Sequence, residues 1–183
     1  YRNAVRSHMR SHRPVGTTLS GGLDSGSVAV LAAEECRRGD QRRLPAFGSV
    51  PIHPIENTTP NNSFGDERPF ITATSEFAGN IDVHFIGAES ISPLAGIRRT
   101  LELQEHPEMS CSTQFWMTCI MEKARAEGIG TLLTGGGGNG TISWAGSPEK
   151  PFFDLLLKWQ WRRFCTESLA WKSRHNMSLY RTA

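Results

Sequence analysis

Apolar and polar residues alternate along this chain at two different periods, and together they predict an ordered run of helices and strands. In Arg2 to His12, Val5 and Met9 fall four apart on one helical face, and Pro14 must end that helix. Val15 to Leu19 reads as a short strand, followed by a glycine turn. From about Ser25 to Arg38, Val28, Leu31 and Ala32 carry helical spacing, and Gly39 is a natural stop. Leu44 to Val50 reads as a second strand. The stretch from Pro51 to Asp66, rich in Pro, Asn and Thr, reads as a loop. A helix is predicted over Pro69 to Phe77, closed by Gly79 and Asn80. Ile81 to Ile86 alternates like a third strand. Ile91 to Leu103 contains a further helix, Thr113 to Glu127 another that Gly128 stops, and Ile129 to Leu133 is a fourth strand.

Strands alternating with helices predict an α/β fold, a mostly parallel sheet with helices on both faces. Ligands of such sheets sit at the carboxyl ends of the strands. Two glycine-rich loops, Ser20 to Ser25 and Thr134 to Gly140, follow the first and fourth strands and should share that edge. Residues 1–147 are expected to form this domain. Residues 148–183 form a helical segment rich in aromatics, among them Phe152, Phe153, Trp159, Trp161, Phe164 and Trp171. That tail either packs on a remainder of the protein or faces a partner.

Composition narrows the classes. With 183 residues the chain fits one compact domain or most of one. A net charge of +2 offers no broad basic face, so no nucleic-acid partner is expected. The basic group Arg37, Arg38, Arg42 and Arg43 suits a solvated helix end. The longest apolar run, Val28 to Ala33, is too short to cross a bilayer, so no membrane role is expected. Cys36, Cys111, Cys119 and Cys165 form no CxxC pair and no zinc template, which suits reduced thiols and a cytoplasmic location. The first residue is Tyr1, so the chain is expected to be part of a longer protein.

The first loop reads Ser20-Gly21-Gly22-Leu23-Asp24-Ser25. Gly21 and Gly22 let backbone N–H groups approach an anion, and the following helix adds its positive end. Ser20 and Ser25 supply hydroxyl donors. Asp24 would repel a bare phosphate, but it fits a magnesium ion held between carboxylate and phosphate. The string is neither the Walker GxxxxGK[ST] nor the dinucleotide GxGxxG. An ordinary strand-to-helix turn is the competing account. The histidines are weaker candidates: His8 and His12 are four apart without an HExxH frame, and His53 lies in the loop after the second strand.

The string SGGLDS resembles the pyrophosphate loop, SGGxDS, of the ATP pyrophosphatase superfamily. Thr17 to Ala29 is most similar to the synthetase domain of glutamine-dependent asparagine synthetases. Ala126 to Gly135 resembles that family's entry into its second nucleotide loop, and Pro45 to Val50 its second strand. The resemblance covers roughly residues 1–147 and implies an adenine nucleotide α-hydrolase-like, Rossmann-like fold. It implies a ligase that binds ATP and Mg2+, activates a small-molecule or peptide carboxylate as an acyl-adenylate, and releases pyrophosphate. Ammonia or an amine then forms the amide, the ammonia coming from a glutaminase domain not contained in this chain. By family position, Leu19, Ser49, Thr134 and Gly135 would contact the nucleotide. Ser20, Gly21, Gly22, Leu23 and Ser25 would line the pyrophosphate, and Asp24 would bind the metal. Ser20 and Asp24 would carry the catalytic charge stabilisation. Cys111 to Gln114 would lie on the acyl-acceptor side.

The second loop departs from the family's SGEGxDE. Gly136 stands at the first acid, Asn139 at the metal-binding Asp, and Gly140 at the last acid. Asn139 keeps a carbonyl oxygen for the metal but no charge. Related amide-forming branches, such as β-lactam synthetases and lasso-peptide cyclases, alter this loop as well, so an amide ligase like theirs is an alternative to an asparagine synthase. A non-catalytic nucleotide-binding module, or a tRNA-modifying or sulfur-handling member of the superfamily, remain alternatives.

Overall fold

The computed structural model describes residues 1–39, 41, 43–55, 65–106, 114–143 and 150–175. They form two compact units, Tyr1–Ser143 and Trp144–Ala183. In the first unit the chain runs α1 (Arg2–His8), β1 (Val15–Thr18), α2 (Leu23–Arg38), β2 (Leu44–Ser49), α3 (Arg68–Ala78), β3 (Ile81–Ile86), α4 (Pro93–Gln104), α5 (Phe115–Ala126) and β4 (Thr131–Leu133). A 3-10 turn, Gly138–Gly140, follows β4.

The four strands are parallel in the order β3-β2-β1-β4, as the alternation of strands and helices predicts. The chain builds outward from β1 through β2 to β3, then returns to place β4 on the other side of β1. The order reverses there, and in open α/β sheets ligands bind at such a reversal.

The period-2 pattern sorts the side chains onto two faces. On one, Val15, Leu44, Ala46, Ile81 and Leu133 pack with Val28, Ala29, Ala32 and Ala33 of α2 and Ile71 of α3. On the other, Phe47 packs with Ile120 and Ala124 of α5, beside Ile86, Leu132 and Trp116. Small residues on α2 bring that helix close to the sheet; Ala29, Ala32 and Ala33 are fully buried. Gly16 belongs to the tight layer too, since a Cβ there would lie 3.2 Å from the Phe47 ring and from Pro45 O.

Several boundaries differ from the sequence reading, among them the ends of three elements. The first helix ends at His8, one turn before His12, because Ser11 Oγ accepts the Arg13 N–H and turns the chain ahead of Pro14. The second begins at Leu23 rather than Ser25. Gly22 is its extended N-cap, and Gly26 N–H already donates to Gly22 O at 3.1 Å. Asp24 and Ser25 therefore sit inside the first helical turn. The fourth strand covers only Thr131–Leu133, because Ile129 N–H is tied back to Ala124 O of α5 at 3.0 Å.

The second unit contains α6 (Lys150–Leu157) and α7 (Trp161–His175). Phe152 meets Phe164 and Trp171 edge-on at ring-centroid distances of 6.1 and 6.0 Å. These aromatics give the pair a small core of its own. No described helix of either unit is long and apolar enough to cross a membrane.

Candidate nucleotide site

A cavity of about 550 Å³ opens at the carboxyl ends of β1, β2 and β4, within the roughly 300–1,000 Å³ of small-molecule sites. Its floor is Phe47 and Ile120, and Trp116 and Met117 of α5 form one wall. Both glycine loops reach it. Leu19, Ser20, Gly22, Asp24 and Ser25 line it from the first, and Thr134, Gly135 and Gly136 from the second. Ser49 closes it at the end of β2. Eight of the ten nucleotide-contact positions expected from the sequence thus converge on one cavity.

The remaining expected residues lie elsewhere. Leu23, the first residue of α2, does not line the cavity and is 83% exposed. Gly21 does not line the cavity; a Cβ there would meet the Phe70 side chain at 3.1 Å. Asn139 does not line the cavity. It is exposed, and its amide oxygen accepts from Ser143 Oγ at 2.9 Å. His53 is exposed, and His8 bonds locally to Ala4 O. Cys111, Ser112 and Thr113 lie outside the described residues.

The first loop is held by a compact hydroxyl network. Ser25 is buried, and its Oγ accepts the Ser20 N–H at 3.1 Å. The two hydroxyls lie 2.7 Å apart, and Ser20 Oγ accepts the Gly22 N–H at 3.2 Å. Gly21 N–H is taken by Glu67 Oε2 at 3.3 Å. Glu67 is the N-cap residue of α3, between the loop expected to end at Asp66 and the helix expected from Pro69. Nothing local marks it, because its role depends on where α3 is docked.

The second loop presses on the first. A Cβ on Gly135 would fall 2.6 Å from Ser25 N and 2.9 Å from Ser25 Cα. A Cβ on Gly138 would collide with the Asp24 carboxyl group. Glycine is required at both positions by contact, and Gly137 needs it for conformation, with φ at +76°.

Asp24 carries the main electrostatic feature. Its Oδ1 is buried and has no hydrogen-bond partner. A buried carboxylate oxygen left unpaired is costly and calls for a cation. Asp24 fits magnesium in this respect, provided the ion takes its other ligands from phosphate and water. Among the described residues no three acids, cysteines or histidines gather into a self-sufficient metal cluster.

A sequence profile of the family described as Asparagine synthase matches residues 1–181. The chain belongs to the asparagine synthase family. Asparagine synthetase B [glutamine-hydrolyzing] of Escherichia coli (strain K12) is 26% identical over 142 residues, which is 74% of this chain and 24% of that protein. Amidase chry2 of Gibberella zeae is 26% identical over 139 residues, 73% of this chain and 20% of that protein. The chain thus spans about a quarter or less of the length of these curated relatives. The family is one of ATP-dependent, amide-forming synthetases. Its match extends past the first unit to the end of α7, so the aromatic tail belongs to it as well.

Proposed function

We propose that this chain is the nucleotide-binding part of an ATP-dependent carbon–nitrogen ligase resembling asparagine synthase. It joins a carboxylate to ammonia or an amine through an acyl-adenylate. The observation that carries this reading is the convergence of SGGLDS and the second glycine loop on one cavity at the sheet's reversal point. The ammonia source would be a glutaminase domain outside this chain, and the setting cytoplasmic.

ATP would lie with its adenosine toward Leu19, Ser49, Thr134 and Gly135. Its β- and γ-phosphates would meet Ser20, Gly22 and Ser25 at the start of α2. The carboxylate attacks the α-phosphorus, the bond to the bridging oxygen breaks, and pyrophosphate leaves with its electron pair. The amine then attacks the acyl carbon and AMP departs. In this scheme the Ser20 and Ser25 hydroxyls and the N-terminal dipole of α2 stabilise charge developing on the departing pyrophosphate. Trp116 and Phe47 limit water around the acyl-adenylate. Magnesium, when bound, supplies positive charge beside the phosphates; Asp24 would hold it through its unpaired Oδ1.

A second reading is favoured by the second loop. Gly135 to Gly138 brings no acid to the cavity, and the Asn139 oxygen is already engaged by Ser143. A nucleotide-binding module without ligation accounts for that arrangement. Carboxylate-dependent exchange of labelled pyrophosphate into ATP by the full chain separates the two. Slow exchange supports the ligase, with one metal carboxylate. ATP binding without exchange for any carboxylate supports the module, and no ATP binding overturns both.

A further inference from the structure

The three backbone donors of the Ser20–Gly22 turn are taken by three oxygens: Ser25 Oγ on Ser20 N–H, Ser20 Oγ on Gly22 N–H, and Glu67 Oε2 on Gly21 N–H. The first two are neutral hydroxyls of the loop itself, which can rotate and donate to a phosphate instead. Glu67 differs on both counts, being an acceptor only and belonging to a segment 46 residues away. A carboxylate oxygen on a loop N–H makes the same contact that a phosphate oxygen makes there.

No other demand explains this carboxylate. Although Glu67 is the N-cap residue of α3, its side chain makes no cap hydrogen bond. Its neighbour Asp66 is neutralised by Arg68 at 2.6 Å, and Arg68 also donates to Pro51 O. Glu67 has no ion pair among the described residues. It lines the same cavity as Asp24, so two carboxylates face the place where phosphate oxygens would lie. The Phe70 ring, one turn along α3, rests on Gly21 and holds this helix end over the loop.

We propose that Glu67 is an internal phosphate mimic that occupies the Gly21 N–H and competes with polyphosphate for it. The proposal rests on the reading of residues 20–25 as a pyrophosphate loop. A bare polyphosphate must displace a like charge, so Glu67 lowers affinity for metal-free anions. It thereby sets a preference for metal-complexed nucleotide, whose lower charge it repels less.

Isothermal titration of the full chain with inorganic pyrophosphate in EDTA tests this. Glu67→Gln keeps the size and an acceptor while removing the charge, and Glu67→Ala removes both. Each variant is expected to bind metal-free pyrophosphate about tenfold tighter than the parent, as release of one near-contact, solvent-screened repulsion requires. The gain for magnesium–pyrophosphate is smaller. Glu76→Gln, an exposed acid further along α3, leaves affinity unchanged and controls for net charge. Unchanged or weaker pyrophosphate binding by Glu67 variants that melt like the parent overturns the mimic and leaves the loop assignment standing. An equal gain in Glu76→Gln also overturns it. Absence of pyrophosphate binding in every protein overturns the loop assignment as well.

Discussion

Gly135→Ala tests most directly whether the two glycine loops form one site. The added methyl would stand 2.6 Å from Ser25 N, 2.9 Å from Ser25 Cα and 3.0 Å from the Asp24 carbonyl carbon. All three atoms are backbone in the first turn of α2, so no rotamer change relieves the overlap. Relief requires the second loop to lift off or the helix end to shift. Overpacking of this kind costs about 1–3 kcal/mol, which lowers the melting temperature of a unit of this size by roughly 3–12 °C. Gly140→Ala is the matched control, because a Cβ there meets nothing within 4 Å and its φ is not positive. It is expected to be neutral or slightly stabilising, by at most about 1 kcal/mol. Thermal melts by circular dichroism, paired with ATP titrations, give the readout. Gly135→Ala should also weaken ATP binding by at least about tenfold, since both loops line the cavity. If Gly135→Ala melts with Gly140→Ala and binds ATP like the parent, the close packing of the loops is wrong.

Three other outcomes are expected. Asp24→Asn should abolish the magnesium dependence of ATP binding while leaving metal-free pyrophosphate binding equal or stronger; titrations with and without EDTA check this, and an unchanged magnesium dependence refutes it. Ser25→Ala strands the Ser20 N–H that Ser25 Oγ accepts, and should cost about 1–3 kcal/mol of stability by denaturant titration. Burial pushes the Cys36 thiol from 9.0 up to about 11, so the folded chain keeps its proton where the unfolded chain loses it. The unfolded state therefore binds fewer protons between about pH 9 and 11, and stability should fall across that window. Melts of Cys36→Ala should begin lower but decline less steeply over the same range.

Much of this architecture was legible along the chain. Val15–Thr18, Leu44–Ser49 and Ile81–Ile86 are short runs whose alternation or bounding turns mark them as strands. Gly79, with φ at +75°, and Gly128, with φ at +77°, occupy left-handed positions at the helix stops that the sequence predicts. SGGLDS was legible because its spacing is local: Ser20 and Ser25 meet across a single turn. The helix start at Leu23 was missed because glycine gives no side-chain cap signal, and Gly22 caps through its backbone alone.

The convergence of distant segments was not legible. Glu67 reaches Gly21 only because α3 docks beside α2, and that docking depends on Ile71 filling the core under Gly48. Phe47 and Trp116 read as ordinary apolar positions of a strand and a helix, yet the packing of α5 on β2 makes them cavity walls. At position 139 the sequence supplies an oxygen suitable for a metal, while the turn directs it to Ser143. Sequence alone determined the order of elements, the parallel α/β plan and the glycine–serine turn between β1 and α2, because periodicity and turn chemistry act over a few residues. The strand order β3-β2-β1-β4, the pressing of Gly135 and Gly138 onto α2, and the carboxylate facing the loop were decided by tertiary packing, where shape and volume act between residues far apart in the chain.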